Sequence, residues 1–177
     1  MILLTPKGDK LNGMKWQVPV FEGPEHDVLT RYVDAAKAHK ADFVVRITSD
    51  CPEIPSPLIS KHIFTSVNHN LDYTTNTLEK CRTYPDGFDT QVMSARLLDW
   101  LDQTADHIKY REHVCNLLEE HRPDWIRICN VVGYTDSSHL KLSIDNTEDL
   151  NFAKMYINLM QSKLDFAKNN SEILVRW

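Results

Sequence analysis

Two acidic turns stand far apart in this chain, and each follows residues suited to a strand. Asp50 comes after the apolar run Phe43-Val44-Val45, Arg46 and Ile47, through Thr48-Ser49, and precedes Cys51-Pro52. Asp145 lies in Ser143-Ile144-Asp145. Ligands of open α/β sheets bind just beyond the carboxyl ends of strands, where both carboxylates would sit. A hard cation such as Mg²⁺ takes oxygen ligands and commonly needs only one or two carboxylates, with phosphate and water supplying the rest. Asp50 and Asp145 are therefore the candidate catalytic and metal-holding pair. A plainer role stays open for each. Asp50 could cap the turn before Pro52. Asp145 or Asn146 could be the N-cap of a helix opening on Thr147-Glu148-Asp149, and spacing alone favours that capping role.

A second group of candidates lies in the polar stretch Asn76–Asp89, which has no apolar periodicity and contains Pro85-Asp86-Gly87. Arg82, Tyr84, Asp86, Gly87 and Asp89 combine a guanidinium able to grip a carboxylate or phosphate with carboxylates able to accept from sugar hydroxyls. That mixture suits a polar sugar acid. Asp86-Gly87 is equally a common turn pair. Arg111 and His113, at the opening of a helix, are further substrate-binding candidates; His113 with Glu112 could be an acid-base pair or simply a helix surface. His139 and Lys141 flank Leu140, so on a strand both would face one side, toward an anion or toward solvent. His39, His62, His69 and His107 read as surface residues.

Positioning these groups falls to an alternation of strands and helices. Met1–Thr5 and Val18–Phe21 read as strands, with Pro19 implying an edge position. Asp27 is a plausible N-cap for a helix that buries Val28, Leu29, Tyr32, Val33 and Ala36. Strand Asp42–Thr48 follows, then a helix after Pro55 and Pro57 with Leu58, Ile59, Ile63, Phe64 and Val67 as its buried stripe. Leu71–Thr75 and a short Thr90–Met93 read as strands. Ser94 caps a helix burying Leu97, Leu98 and Leu101. Tyr110–Glu120 is expected to be helical, Trp125–Val132 and Leu140–Ile144 extended. A closing helix over Thr147–Leu164 would bury Leu150, Ala153, Met155, Ile157 and Met160. This order points to a largely parallel sheet in an α/β layer architecture.

The 177 residues suit one domain, residues 1–177, whose tail from 168 onward has no assigned place. A net charge of −5 without a Lys/Arg block excludes the footprint of a nucleic-acid binder. No apolar run has membrane-helix length and no signal peptide is evident, so a cytoplasmic location without membrane attachment is expected. Cys51, Cys81, Cys115 and Cys129 form no C-x-x-C pair, which argues against a zinc site or a disulfide framework.

Five segments, VPVFEGPEHDVLTRYVDAAK, DFVVRITSDCPEI, RTYPDGFDTQV, REHV and SHLKLSIDNTEDL, resemble in that order the cytidylyltransferases of the spore-coat polysaccharide type, relatives of CMP-sialic acid and CMP-KDO synthetases. The resemblance implies a three-layer α/β/α sandwich with a mainly parallel mixed sheet, similar to nucleotide-diphosphosugar transferases. It implies attack of a sugar-acid hydroxyl on the α-phosphate of CTP, with Mg²⁺ held by Asp50 and Asp145. Arg82, Tyr84, Asp86 and Asp89 would line the sugar side. A homodimer is expected on separate grounds: without the family's first strand a sheet edge is left unpaired, and unpaired edges invite another chain. Family members begin with a strand and a basic, Gly-containing loop that wraps the nucleotide, and this chain shows no such segment. The expectation is therefore an N-terminally truncated form: a fragment of an active transferase, or a relative that keeps sugar or nucleotide binding, or oligomerisation, without turnover. Asn146 replaces the usual Thr, and either side chain can cap.

Overall fold

The computed structural model describes residues 1–169, with side chains described through residue 163. Two parallel strands, β1 (Leu3–Pro6) and β2 (Val20–Gly23), form one small sheet. A four-stranded sheet contains β3 (Phe43–Arg46), β4 (Tyr73–Thr75), β5 (Gln91–Ser94) and β6 (Ile128–Asn130), in the order β3-β5-β4-β6. β3 and β4 both run antiparallel to β5, and β6 runs parallel to β4. It follows that β3, β4 and β6 share one direction and β5 alone opposes them. The sheet is mixed and mainly parallel, as the family resemblance implies.

The pleat shows why helices cover both faces. Tyr73 and Met93 are cross-strand partners and belong to the main core, with Leu29 and Val33 of α1 (Val28–Ala38) and Leu97, Leu98 and Leu101 of α3 (Ala95–Thr104). One residue along, Thr74 and Val92 pair and point to the other face. There Ser66 of α2 (Ser56–Asn68) donates to the Thr74 hydroxyl at 2.7 Å. The result is an α/β/α sandwich.

α1 and α2 end alike. Lys40 (φ 50°) and Asn70 (φ 49°) take left-handed backbone, and the next residues, Ala41 and Leu71, donate back to the carbonyls of Ala36 and Ser66. Each turn leads directly into a strand. Asp72, just before β4, is 3% exposed and accepts from the Ser94 hydroxyl, the Arg96 guanidinium and the Arg127 amide.

The structure corrects several local expectations. On α2, Leu58, His62 and Ser66 face inward, whereas Ile63, Phe64 and Val67 are 39–67% exposed. His62 is fully buried, with Nδ1 2.8 Å from the Leu58 carbonyl, so it is no surface residue. The stretch Tyr110–Glu120 breaks into α4 (Ile108–Glu112) and α5 (Leu117–Glu120), with Val114 at φ 54° between them. Val114, Cys115, Leu117 and Leu118 are all buried around that kink. Residues 140–144 form no strand; only a single bridge joins Lys141 to Asp86. On α6 (Thr147–Asn169), Ala153 is buried but Leu150, Met155, Ile157 and Met160 are 39–60% exposed.

Arg111 is a structural clamp. It donates to Asp27 Oδ2 at 2.6 Å, to Asp102 Oδ1 at 2.8 Å, to the Thr30 hydroxyl and to the carbonyls of Asp102 and Ala105. It thereby joins α4 to the start of α1 and the end of α3. Burial raises the Asp27 carboxyl, but bonds from Arg111 and Thr30 outweigh it and carry the group below its ordinary value. Arg111→Ala should cost about 2–3 kcal/mol in urea unfolding, because two carboxylates lose their partner. A carboxyl lowered in the folded state contributes stability above its unfolded value near 3.8, lost as pH falls through the folded value. The deficit of the variant is thus expected to be full above about pH 4 and to shrink in more acid solution; an unchanged midpoint at pH 7 would refute the clamp.

Candidate active site at the carboxyl edge of the sheet

Since β3, β4 and β6 point one way, their carboxyl ends share an edge, and the segments leaving them meet there. Asp50 follows β3, loop 76–90 follows β4, and segment 131–146 follows β6. Two asparagines at strand ends pin these connections. Asn76, 1% exposed, donates to the Phe88 carbonyl at 2.8 Å and accepts from the Thr90 amide. Asn130 accepts from the Leu78 amide and donates to the Cys81 carbonyl. Neither stood out in the sequence, although an asparagine after an apolar strand is a signal for loop anchoring.

Gly87 docks the loop onto the opposite segment. It takes φ +99°, and a Cβ there would overlap the Leu142 carbonyl carbon and the Ser143 amide nitrogen. Beside it, Asp86 exchanges backbone hydrogen bonds with Leu140 and Leu142, and its Oδ2 accepts from the Ser143 hydroxyl at 2.8 Å. Gly87 therefore holds its place by backbone contact, which the residue's absent side chain permits.

The two acidic turns do converge. The Ile144 amide donates to the Asp50 carbonyl at 2.8 Å, placing Asp145 one residue away. The capping question is also resolved. Asn146 Oδ1 accepts from the amides of Glu148 and Asp149, so Asn146 caps α6 and Asp145 does not. Asp145 instead pairs with Lys141 at 2.7 Å, and Lys141 also meets Asp149. The bonds to Asp145 and then Asp149 hold the lysine's proton firmly and raise the group above its ordinary value. The Asp50 carboxylate accepts no backbone amide; its hydrogen bond is a long contact from Cys51 Sγ at 3.6 Å. Burial, with Asp50 and Asp89 adding to it, pushes the Cys51 thiol up to about 11, so Cys51 is no nucleophile at neutral pH.

Asp89 completes an acidic group. Burial raises its carboxyl, the Arg82 bond pulls it down, and the charges of Asp86 and Asp50 raise it again, leaving it above its ordinary value. Arg82 bonds Asp89, lies 3.6 Å from Asp86 and donates to the carbonyls of Tyr84 and Pro85. Its fork thus shapes the loop before it can meet any ligand. Tyr84 lines a cavity of about 470 Å³ with Thr83, Tyr134, Lys141, Phe152 and Tyr156. The structure does not bring Arg111, His113 or His139 into this group. Arg111 is engaged at α1 and α3, His113 is the exposed C-cap of α4, and His139 is exposed on a segment that is not a strand.

The donor chemistry fits a hard cation: hard carboxylate oxygens on Asp50 and Asp145, held together through backbone, with Asp86 and Asp89 nearby. No group of three or more His, Cys, Asp or Glu suited to a metal ion occurs among the described residues. Any ion here would rely on one or two carboxylates plus phosphate and water, the usual habit of Mg²⁺.

Comparisons with known proteins bear on the family and the fold. Residues 9–173 match the model of the family described as cytidylyltransferase. An uncharacterised protein of Methanocaldococcus jannaschii is 29% identical over 146 residues, which is 81% of this chain and 56% of that protein. The spore coat polysaccharide biosynthesis protein SpsF of Bacillus subtilis is 27% identical over 132 residues, 73% of this chain and 53% of its own length. The chain thus spans about half the length of these two relatives. Among solved structures, a cytidylyltransferase from Leptospira borgpetersenii superposes with a TM-score of 0.80 at 27% identity, covering 99% of this chain and 79% of the other. A 4-diphosphocytidyl-2C-methyl-D-erythritol synthase from Anaerococcus prevotii gives a TM-score of 0.52 at 13% identity, covering 89% and 78%, and shares the fold alone. By this match along nearly its whole length, the chain belongs to the cytidylyltransferase family.

Proposed function

We propose that this chain transfers CMP from CTP to an acidic sugar for surface polysaccharide, with Mg²⁺, acting in the cytoplasm. The observation that carries this reading is the backbone bond from Ile144 to Asp50, which sets two aspartates side by side at the carboxyl edge within a cytidylyltransferase fold. The resemblance of the chain to a spore coat polysaccharide protein supports the sugar assignment.

Within the reading, Asp50 and Asp145 hold Mg²⁺, which supplies charge stabilisation to the phosphates when bound. Lys141 pairs with Asp145 and orients its carboxylate. Asp86 and Asp89, fixed by Ser143 and Arg82, offer acceptors to sugar hydroxyls. Tyr84 and the aromatic cavity beside it give the ring an apolar face to rest on. The protein's part is positioning and electrostatics, with no covalent intermediate on the chain.

Self-association belongs to the same reading. α6 carries Leu150, Phe152, Met155, Ile157, Leu159 and Met160 at 39–60% exposure, more apolar surface than a solvated helix shows. A homodimer joined along this helix would cover it. The apolar run Ile173–Val175, a further candidate contact, lies outside the described residues. Light scattering should give twice the chain mass, and Phe152→Glu with Met155→Glu should return a monomer. A wild-type monomer at all concentrations would remove the dimer.

The central test is pyrophosphate release from CTP and Mg²⁺ with a panel of acidic sugars; absence of release with every member would refute transfer. Asp50→Asn and Asp145→Asn should each weaken Mg²⁺-dependent CTP binding at least about tenfold. Both side chains lie at the site edge, so melting temperatures are expected to stay within about 2 °C of the parent. Loss of stability without any change in Mg²⁺ dependence would return both residues to a structural role.

A further inference from the structure

We propose that Arg31 and Arg46, at the carboxyl ends of β2 and β3, form a binding site for phosphate oxyanions. Neither residue stood out in the sequence, and neither belongs to the acidic group around Asp50. Arg31 lies in the first turn of α1, is 8% exposed, and its Nε is buried without a partner. Its guanidinium makes no hydrogen bond and no ion pair among the described residues. The terminal nitrogens are not among the buried unpaired atoms, so they keep access to solvent. Its stem lies against Gly23, the last residue of β2, where a Cβ would overlap Arg31 Cγ. That glycine makes a cradle for the arginine.

Arg46 is the last residue of β3. One terminal nitrogen donates to Gln91 Oε1 at 2.9 Å, and its Nε is likewise buried and unpaired. Because Val44 packs against the α1 core, Arg46 two residues later points to the same face, under α1. Tyr32 of α1 and Val44 of β3 pack against the same core, so Arg31 and Arg46 converge from two packed elements, and the Tyr32 hydroxyl feels both charges. Gln91 in turn donates to the Tyr73 hydroxyl, so the floor of this locus is neutral.

The contrast with Arg82, Arg96 and Arg111 gives the inference its force. Arg82, Arg96 and Arg111 each meet at least one carboxylate. Arg31 is buried and Arg46 half-buried with its Nε shut away, and a guanidinium drawn from water without a carboxylate is costly, since the charge needs a partner. A phosphate group matches them: it bears delocalised negative charge, several acceptor oxygens, and the spacing a guanidinium fork grips in pairs. The nucleotide's own phosphates are the natural occupants, and that identity of the ligand rests on the cytidylyltransfer reading. The oxyanion site itself stands on the two arginines.

The experiment is calorimetric titration of the full chain with inorganic pyrophosphate, sodium acetate and CTP at constant ionic strength, repeated on Arg31→Gln and Arg46→Gln. Pyrophosphate should bind the parent, acetate should not, and each substitution should weaken pyrophosphate roughly 10- to 100-fold. If a variant fails to fold, nitrogen NMR of the arginine Nε–H groups in the parent gives the answer directly: two Nε–H signals should shift on adding pyrophosphate. Unchanged pyrophosphate affinity in both variants, equal binding of acetate, or unmoved Nε–H signals would overturn the site. Tight CTP binding indifferent to both substitutions would overturn it while leaving the proposed reaction intact. Arginine-dependent pyrophosphate binding without any CTP binding would instead uphold the site and sink the cytidine reading.

Discussion

The backbone approach of Gly87 to Leu142 and Ser143 is the contact on which the candidate site depends. Asp50, Asp86, Asp89 and Asp145 come from three chain segments, and that approach, with the bonds from the Gly133 and Ser137 amides to Thr83, brings loop 76–90 flush against segment 131–146. With the two segments in contact, Asp86 can bond Leu140 and Leu142, and the Ser143 hydroxyl can reach the Asp86 carboxylate. Segment 131–146 then lies where Ile144 meets Asp50. Any side chain at position 87 would push the two backbones apart and would also sit in the strained left-handed region.

A group of carboxylates packed this closely must be held against its own repulsion. Arg82 supplies one counter-charge and Lys141 another, but each arrangement is internal to the protein. Asp50 lacks an ion pair among the described residues, and burial, with the charges of Asp86 and Asp50 added, keeps Asp89 above its ordinary value. Across the same edge the imbalance is reversed, with Arg31 and Arg46 lacking carboxylates. One side of the site calls for a cation and the other for an anion. A metal-bound phosphate ester has both signs of charge.

Much of the frame was legible because its signals are local. Apolar runs of strand length marked β3, β4 and β6, Asp27 and Ser94 cap α1 and α3 as expected, and both acidic turns lie at the sheet edge. The phase of α2 was not legible. Its apolar residues outnumber the inward positions, so the stripe Ile63-Phe64-Val67 looked buried while Leu58, His62 and Ser66 hold that face. Ser66 wins an inward place because Thr74 offers it a hydrogen bond across the layers, a partner no local pattern reveals. Arg111 read as a ligand-binding cation for the same reason: its carboxylates, Asp27 and Asp102, come from other helices.

The reversed strand explains why the loop chemistry falls where it does. In a wholly parallel sheet the chain leaving β4 would have to return to the amino edge before starting its next strand, and most of the connection would cross a face. β5 runs antiparallel to β4, so it starts at the edge where β4 ends. Residues 76–90 therefore have no crossing to make, and the whole polar stretch remains at the carboxyl edge. That is also why the stretch can be long and free of apolar periodicity: it spans no layer and buries no stripe. Asn76 and Thr90, buried at its two ends and bonded to each other, close it into a loop whose remaining polar side chains are left for Asp50 and Asp145 to meet.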